Sequence, residues 1–135
     1  MAHVLVVDDV DVVRMAVGMI LEREGHTVEV ATDGLEALSL VGVRLPDAVI
    51  TDLWMPHSDG LDLIRVLKAR FPSVAIVAMS GGSRRYDQES SLDQARTAGA
   101  CQLLMKPVGK QDLLDAVAKA IQFQRGTATG LGAAP

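Results

Sequence analysis

The sequence predicts an α/β protein built on an open, doubly wound, five-stranded parallel sheet of order 2-1-3-4-5 with five flanking helices. Three observations carry this expectation. Short apolar runs alternate with stretches of helical periodicity, each unit about two dozen residues long, which favours an open sheet over an eight-stranded barrel. The composition is 49% hydrophobic but only 3% aromatic, an aliphatic mixture suited to a parallel sheet covered on both faces. The residues with chemistry to offer stand just past the apolar runs, and in a parallel sheet such positions share one edge, where ligands bind.

The elements follow in order. Val4 to Val7 is a β-branched, apolar first strand. From Asp11 to Glu24 apolar residues recur at Val13, Ala16, Val17, Ile20 and Leu21, the spacing of an amphipathic helix, and Gly25 stands where a C′ glycine ends one. Thr27 to Ala31 is the second strand, and Asp33-Gly34 opens a second helix running to about Val43. Pro46-Asp47 leads into a third strand, Ala48 to Thr51, followed by a helix over roughly Leu61 to Arg70. Pro72 precedes the fourth strand, Val74 to Met79, and a helix ends near Ala98-Gly99. Cys101 to Met105 is the fifth strand, and Lys110 to about Phe123 the last helix. Residues 1–123 thus read as one domain, and the small, Gly-rich, aperiodic stretch 124–135 as a disordered tail.

Length and charge bound the function. A chain of 135 residues is one domain and buries enough surface to fold without disulfides or metals. The net charge is −4 and no Lys/Arg stripe forms, which argues against direct nucleic-acid binding. Met1-Ala2-His3 enters a strand directly, with no basic leader and no apolar segment of membrane length, so the expectation is a cytoplasmic protein without membrane insertion. Cys101 has no second thiol and reads as a small buried hydrophobe. His3, His26 and His57 lack ligand-like spacing and read as solvated or strand-edge residues.

The chemistry gathers on Asp8, Asp9, Asp52, Ser80 and Lys106. Asp52 ends the run Ala48-Val49-Ile50-Thr51 as a lone carboxylate. Asp9 as a helix N-cap would account for one aspartate but not for two adjacent ones. With Asp52 nearby, three carboxylates repel unless a hard cation joins them, and Mg²⁺ accepts sparse oxygen ligation completed by water. Lys106, which could also simply pair with one of the acids, would give such a site positive charge on two sides, suited to a phosphoryl group whose oxygens gather negative charge. Ser80 offers a hydroxyl on a third side, though it also reads as a turn residue before Gly81-Gly82. Asp52 is then the nucleophile, a carboxylate that attacks phosphorus in line and forms an acyl phosphate.

The set Asp8-Asp9, Asp52-Leu53-Trp54-Met55-Pro56, Ser80-Gly81 and Lys106-Pro107, in this order and spacing, resembles the receiver domain of bacterial two-component response regulators. The resemblance covers about Ala2 to Phe123 and includes Asp33-Gly34-Leu35-Glu36-Ala37-Leu38 and the Ala98-Gly99-Ala100 turn. It implies a flavodoxin-like fold and a phosphorelay signalling protein. In that reading Asp52 accepts a phosphoryl group from a histidine kinase or histidine phosphotransfer protein. Asp9, Asp52 and the Trp54 carbonyl bind Mg²⁺, Asp8 assists directly or through water, and Ser80 and Lys106 bind the phosphoryl oxygens. The Lys106-Pro107 bond is expected to be cis. The protein is then no enzyme in the ordinary sense, but a phosphoacceptor that catalyses its own phosphotransfer and slow autodephosphorylation.

The resemblance also places a switch at Ser80, Leu103 and Pro107, and here the chain departs from the pattern. Family members usually carry an aromatic residue at the position of Leu103, so the aromatic toggle is missing. The segment from Ser80 to Gly99 is a few residues longer than is common, with Arg84-Arg85 and Tyr86, which moves the expected switch to the loop Ser80 to Glu89. No output domain follows, so the chain reads as a stand-alone receiver that docks to a downstream target protein, with a phosphorylation-dependent dimer as a further assembly. On the first helix the buried stripe leaves Met15, Gly18 and Met19 outside, and Met15 with Met19 forms an adaptable patch for docking the kinase.

Rival readings fail on particular residues. A haloacid-dehalogenase-like phosphatase needs a second acid two residues after the nucleophile, where this chain has Trp54. An FMN binder needs a Gly/Ser/Thr-rich loop after the first strand, where Asp8-Asp9 would repel the phosphate. The alternative that remains is a degenerate receiver acting as a phosphorylation-independent interaction module, and the complete acid set argues against it.

Overall fold

The structure, a computed structural model, describes residues 1–55, 58–81 and 88–128. Along the chain these form β1 (His3–Val7), α1 (Asp11–Arg23), β2 (Thr27–Ala31), α2 (Gly34–Val43), β3 (Ala48–Asp52), β4 (Trp54–Met55), β5 (Ser58–Asp59), α3 (Gly60–Arg70), β6 (Ala75–Ser80), α4 (Gln88–Ala98), β7 (Gln102–Met105) and α5 (Lys110–Ala128). The main sheet has five parallel strands in the order β2-β1-β3-β6-β7. Counting those five alone, this is the expected order 2-1-3-4-5. The sequence reading did not contain β4 and β5, a two-stranded antiparallel hairpin directly after β3.

Strand side chains alternate between two cores, as the period of two requires. Leu5, Val7, Val49, Ile76 and Ala78 face α2, α3 and α4, packing with Ala37, Val41, Ile64, Leu67 and Ala95. Val4, Val6, Ile50, Val77 and Met79 face α1 and α5, packing with Val17, Leu21, Leu113, Val117 and Ile121. Both faces are covered by packed apolar side chains, which explains why the strands read as continuous apolar runs rather than alternating ones. Cys101 is half-buried and its thiol donates to the Ile76 carbonyl at 3.4 Å.

Local signals account for the helix ends. Gly25 takes φ +93° after α1 and donates its N–H to the Glu22 carbonyl at 3.0 Å, the left-handed cap glycine provides without strain. Asp33 caps α2 by accepting from the Glu36 N–H at 2.8 Å, while the Glu36 carboxylate reaches back to the Thr32 N–H at 2.7 Å.

Three expectations need correction. On α1 the buried residues are Val17, Gly18 and Leu21, while Ala16 is exposed. Gly18 is therefore buried rather than exposed: it lies beside β2, where a Cβ would be in ordinary contact with Val28 at 3.7 Å. His3 is neither solvated nor on an edge strand. It is buried in β1, between β2 and β3, with its ring hydrogen-bonded to Thr27 Oγ1 at 3.1 Å and Glu29 Oε1 at 2.8 Å. Finally, α5 runs to Ala128, past the expected boundary at Phe123, because Gln124 is buried and its amide donates to the Pro72 carbonyl. Residues 129–135 of the expected tail lie outside the described residues, as does His57. No helix among the described residues is long and apolar enough to cross a membrane.

The two cores make a stability prediction. Leu67 and Leu113 are fully buried on opposite faces. Leu67→Ala and Leu113→Ala should each cost about 3 kcal/mol in urea unfolding, and the double variant should lose close to the sum because the cavities share no neighbours.

Candidate functional site

The sheet edge gathers the five sequence-selected residues as its register dictates. Val7 pairs with Thr51, Asp52 with Met79, and Ser80 with Met105, so Asp8-Asp9, Asp52, Ser80 and Lys106 all stand at the C-terminal ends of adjacent parallel strands. The Lys106 N–H donates to the Ser80 carbonyl at 2.9 Å, which fixes where the lysine leaves β7. Asp8, Asp52 and Ser80 are buried, whereas Asp9 is exposed.

Carboxylate oxygens of Asp8, Asp9 and Asp52 lie within 4.8 Å of one another. Lys106 Nζ crosses the sheet edge to meet two of them, donating to Asp8 Oδ2 at 2.7 Å and standing 3.3 Å from Asp52 Oδ1. Asp9 does not cap α1. Val10 holds the N-cap position with no side-chain cap, and it is Asp8 whose Oδ1 accepts from the Val10 N–H at 2.9 Å. Asp9 is thereby left facing the cluster. Two buried carboxylates and an exposed third against one ammonium leave net negative charge, and a donor set made only of oxygens suits a hard divalent cation. The residues present fit such an ion.

Trp54 lies in β4, paired with Asp59, and is half-buried with its indole packed against the α2–α3–α4 core. Leu103 is half-buried in β7 opposite Ala78, packed on the same core. Pro107 follows Lys106 through a cis peptide bond. Of the expected switch loop, residues 82–87 lie outside the described residues. Met15 and Met19 are exposed, at 65% and 47%, and line an open groove with Arg14, Gly18, Val28 and Val30.

Sequence reasoning overlooked Arg14. Its Nη1 donates to the Asp8 carbonyl at 2.6 Å, and its other nitrogen pairs with Asp11, so the half-buried guanidinium ties α1 to the acidic loop. The readable signal was a basic residue one turn into a helix whose first turn is acidic. Gly81, part of the Ser80-Gly81 motif, has a role in packing that the motif does not declare: a Cβ there would stand 2.9 Å from Lys106 Cδ, so the small residue clears the path of the lysine stem.

Comparison with known proteins agrees with this geometry. Residues 4–118 match the family described as the response regulator receiver domain. The response regulator MprA of Mycobacterium sp. (strain KMS) is 37% identical over 112 residues, covering 83% of this chain and 47% of that protein, so the chain spans about half the length of the relative. The crystal structure of the receiver domain of NtrX from Brucella abortus superposes with a TM-score of 0.81 at 31% identity, covering 88% of this chain and 98% of that one. A CheY-like receiver domain protein from Methanospirillum hungatei JF-1 gives 0.84 at 25% identity, covering 94% and 98%.

The charges of the site are held under opposing constraints. Burial pushes the Asp52 carboxyl from 3.8 up to about 6; the Asp8 and Asp9 charges add to the rise and Lys106 opposes it. Burial also works against the Lys106 ammonium, but its hydrogen bond to Asp8 and the charges of Asp52 and Asp8 outweigh this and hold its pKa above 10.5. A folded-state carboxyl raised in this way carries no penalty below pH 3.8; the penalty builds as pH rises towards 6 and is complete above it. In metal-free protein Asp52→Asn should therefore stabilise the fold by up to about 3 kcal/mol at pH 8 and by little at pH 4. Chemical denaturation at the two pH values checks this, and an equal gain at both would contradict it.

Proposed function

This chain belongs to the response regulator receiver domain family, and from that premise we propose that Asp52 is its phosphoacceptor, charged from the phosphohistidine of a kinase or phosphotransfer protein. The observation that supports the reading best is the reach of Lys106 across the sheet edge to both Asp8 and Asp52, beside a third carboxylate, at the end of the central strand. A degenerate interaction module would have no use for a buried acid cluster that costs stability.

In the proposed reaction an Asp52 carboxylate oxygen attacks the phosphorus in line. The O–P bond forms as the P–N bond of the donor breaks, and the electron pair leaves on the imidazole nitrogen. Asp8, Asp9, Asp52 and the Trp54 carbonyl would hold Mg²⁺, which when bound supplies positive charge against the phosphoryl oxygens. Lys106 keeps its charge at every working pH and turns from the carboxylates to a phosphoryl oxygen, while the Ser80 hydroxyl donates to another. The main-chain positions of Ser80 and Lys106 are already tied together, so little rearrangement is needed to bring both to bear. The same residues make the chain its own catalyst in phosphotransfer and in slow hydrolysis of the acyl phosphate. With no aromatic at the position of Leu103, Ser80 would pass the charged state on to a downstream target protein.

Acetyl phosphate with Mg²⁺ should add one phosphoryl group per chain, labile to hydroxylamine and lost in Asp52→Asn. Undiminished labelling of that variant would sink the assignment.

Kinase docking we place on the exposed thioethers of α1. Met15 and Met19 lie one turn apart, and flexible, polarisable side chains suit a surface that must adapt to a partner helix. Replacing both with Glu should slow phosphotransfer from the cognate kinase by about fivefold or more, as a loss of over about 1 kcal/mol at an interface anchor implies. Labelling by acetyl phosphate and the melting temperature should stay near wild type. Equal loss with both donors would indicate a folding defect instead.

A further inference from the structure

We infer that Gly60 is a positioning residue for the phosphoacceptor, because the loop after β3 can close against the Asp52 main chain only where a side chain is missing. The loop leaves the sheet at Leu53, whose N–H donates to the Met79 carbonyl at 3.1 Å. It makes the β4–β5 hairpin, with Trp54 opposite Asp59, and returns at Gly60, whose N–H donates to the Leu53 carbonyl at 3.0 Å. A Cβ on Gly60 would stand 2.7 Å from Leu53 Cα and 3.0 Å from the Asp52 carbonyl carbon, and would overlap the Asp52 carbonyl oxygen. Real Cβ atoms do not approach main chain so closely, so one side must move.

Neither side has room to do so cheaply. Asp52 belongs to the central strand, hydrogen-bonded between its neighbours, and the Leu53 side chain is fully buried. On the other side Gly60 begins α3, which is anchored by Leu61, Leu63, Ile64 and Leu67, all buried. At Gly25, Gly81 and Gly99 the nearest atoms are flexible side chains, whereas at Gly60 they are the backbone of the reacting residue itself. Asp52 ends β3 and the Trp54 carbonyl follows two residues on in the chain that Gly60 closes against, so a side chain at residue 60 displaces two groups of the site together.

The inference rests on the phosphoacceptor reading, and the experiment separates the two. Mg²⁺ binding is measured by calorimetry, and acetyl phosphate labelling rates are measured in saturating Mg²⁺, for wild type, Gly60→Ala, Asp59→Ala and Gly42→Ala. Asp59→Ala removes the side-chain cap on the Leu61 N–H, 2.8 Å long, and so weakens α3 without adding anything beside Asp52. Gly42→Ala adds a methyl group where nothing lies within 4 Å. Gly60→Ala should bind Mg²⁺ at least tenfold more weakly and label about 10- to 100-fold more slowly, the scale of an ångström's misplacement. Asp59→Ala should melt at a lower temperature yet keep Mg²⁺ affinity and rate within about twofold, and Gly42→Ala should match wild type. If Gly60→Ala melts below the assay temperature, trimethylamine N-oxide restores the folded state for both measurements. A responsive wild type matched by Gly60→Ala in affinity and rate overturns the positioning role alone, as does an equal loss in Asp59→Ala. A wild type that neither binds Mg²⁺ nor labels overturns both.

Discussion

Mutual repulsion among three carboxylates is the constraint around which this molecule is arranged. Carboxylate oxygens of Asp8, Asp9 and Asp52 stand within 4.8 Å of one another, and Lys106 is the positive side chain that meets two of these carboxylates. Such an arrangement raises the energy of the folded state, and the aliphatic cores on both faces of the sheet must offset it. The gain is chemical. A site short of positive charge suits a hard cation, and a positive charge placed there would oppose the burial that raises the Asp52 carboxyl.

The parallel sheet is what allows the acids, the hydroxyl and the lysine to meet without crowding the cores. Side chains inside the strands are committed to one face or the other, as Val7 and Val49 are to one core and Val6 and Ile50 to the other. Only at the strand ends does a residue escape that commitment. Site and core therefore draw on different positions of the same strands.

Most of this was legible in the sequence because the signals were local and repeated. Each strand is a continuous apolar run, each helix has a period, and the polar residues at the strand ends stand out against their surroundings. What was not legible depended on partners distant in sequence. His3 looked like a polar residue at a chain end, and only the pairing of β1 with β2 supplies Thr27 and Glu29 for its ring. Gly18 was placed outside because periodicity weighs hydrophobicity, and glycine has almost none to weigh; the proximity of Val28 decides its burial. The β4–β5 hairpin is too short for any pattern to declare. The end of α5 was missed because Gln124 reads as polar until the Pro72 carbonyl is seen beneath it.

The bond from Lys106 to Asp8 joins residues 98 positions apart, the first strand to the last. Loop-closure entropy makes such a contact among the slowest to form, so the site is assembled only when the sheet is complete to its far edge. A chain emerging from the ribosome carries its acids long before it carries their counter-charge. Until β7 docks at the sheet edge, the acids at the ends of β1 and β3 stand without the lysine that pairs with them.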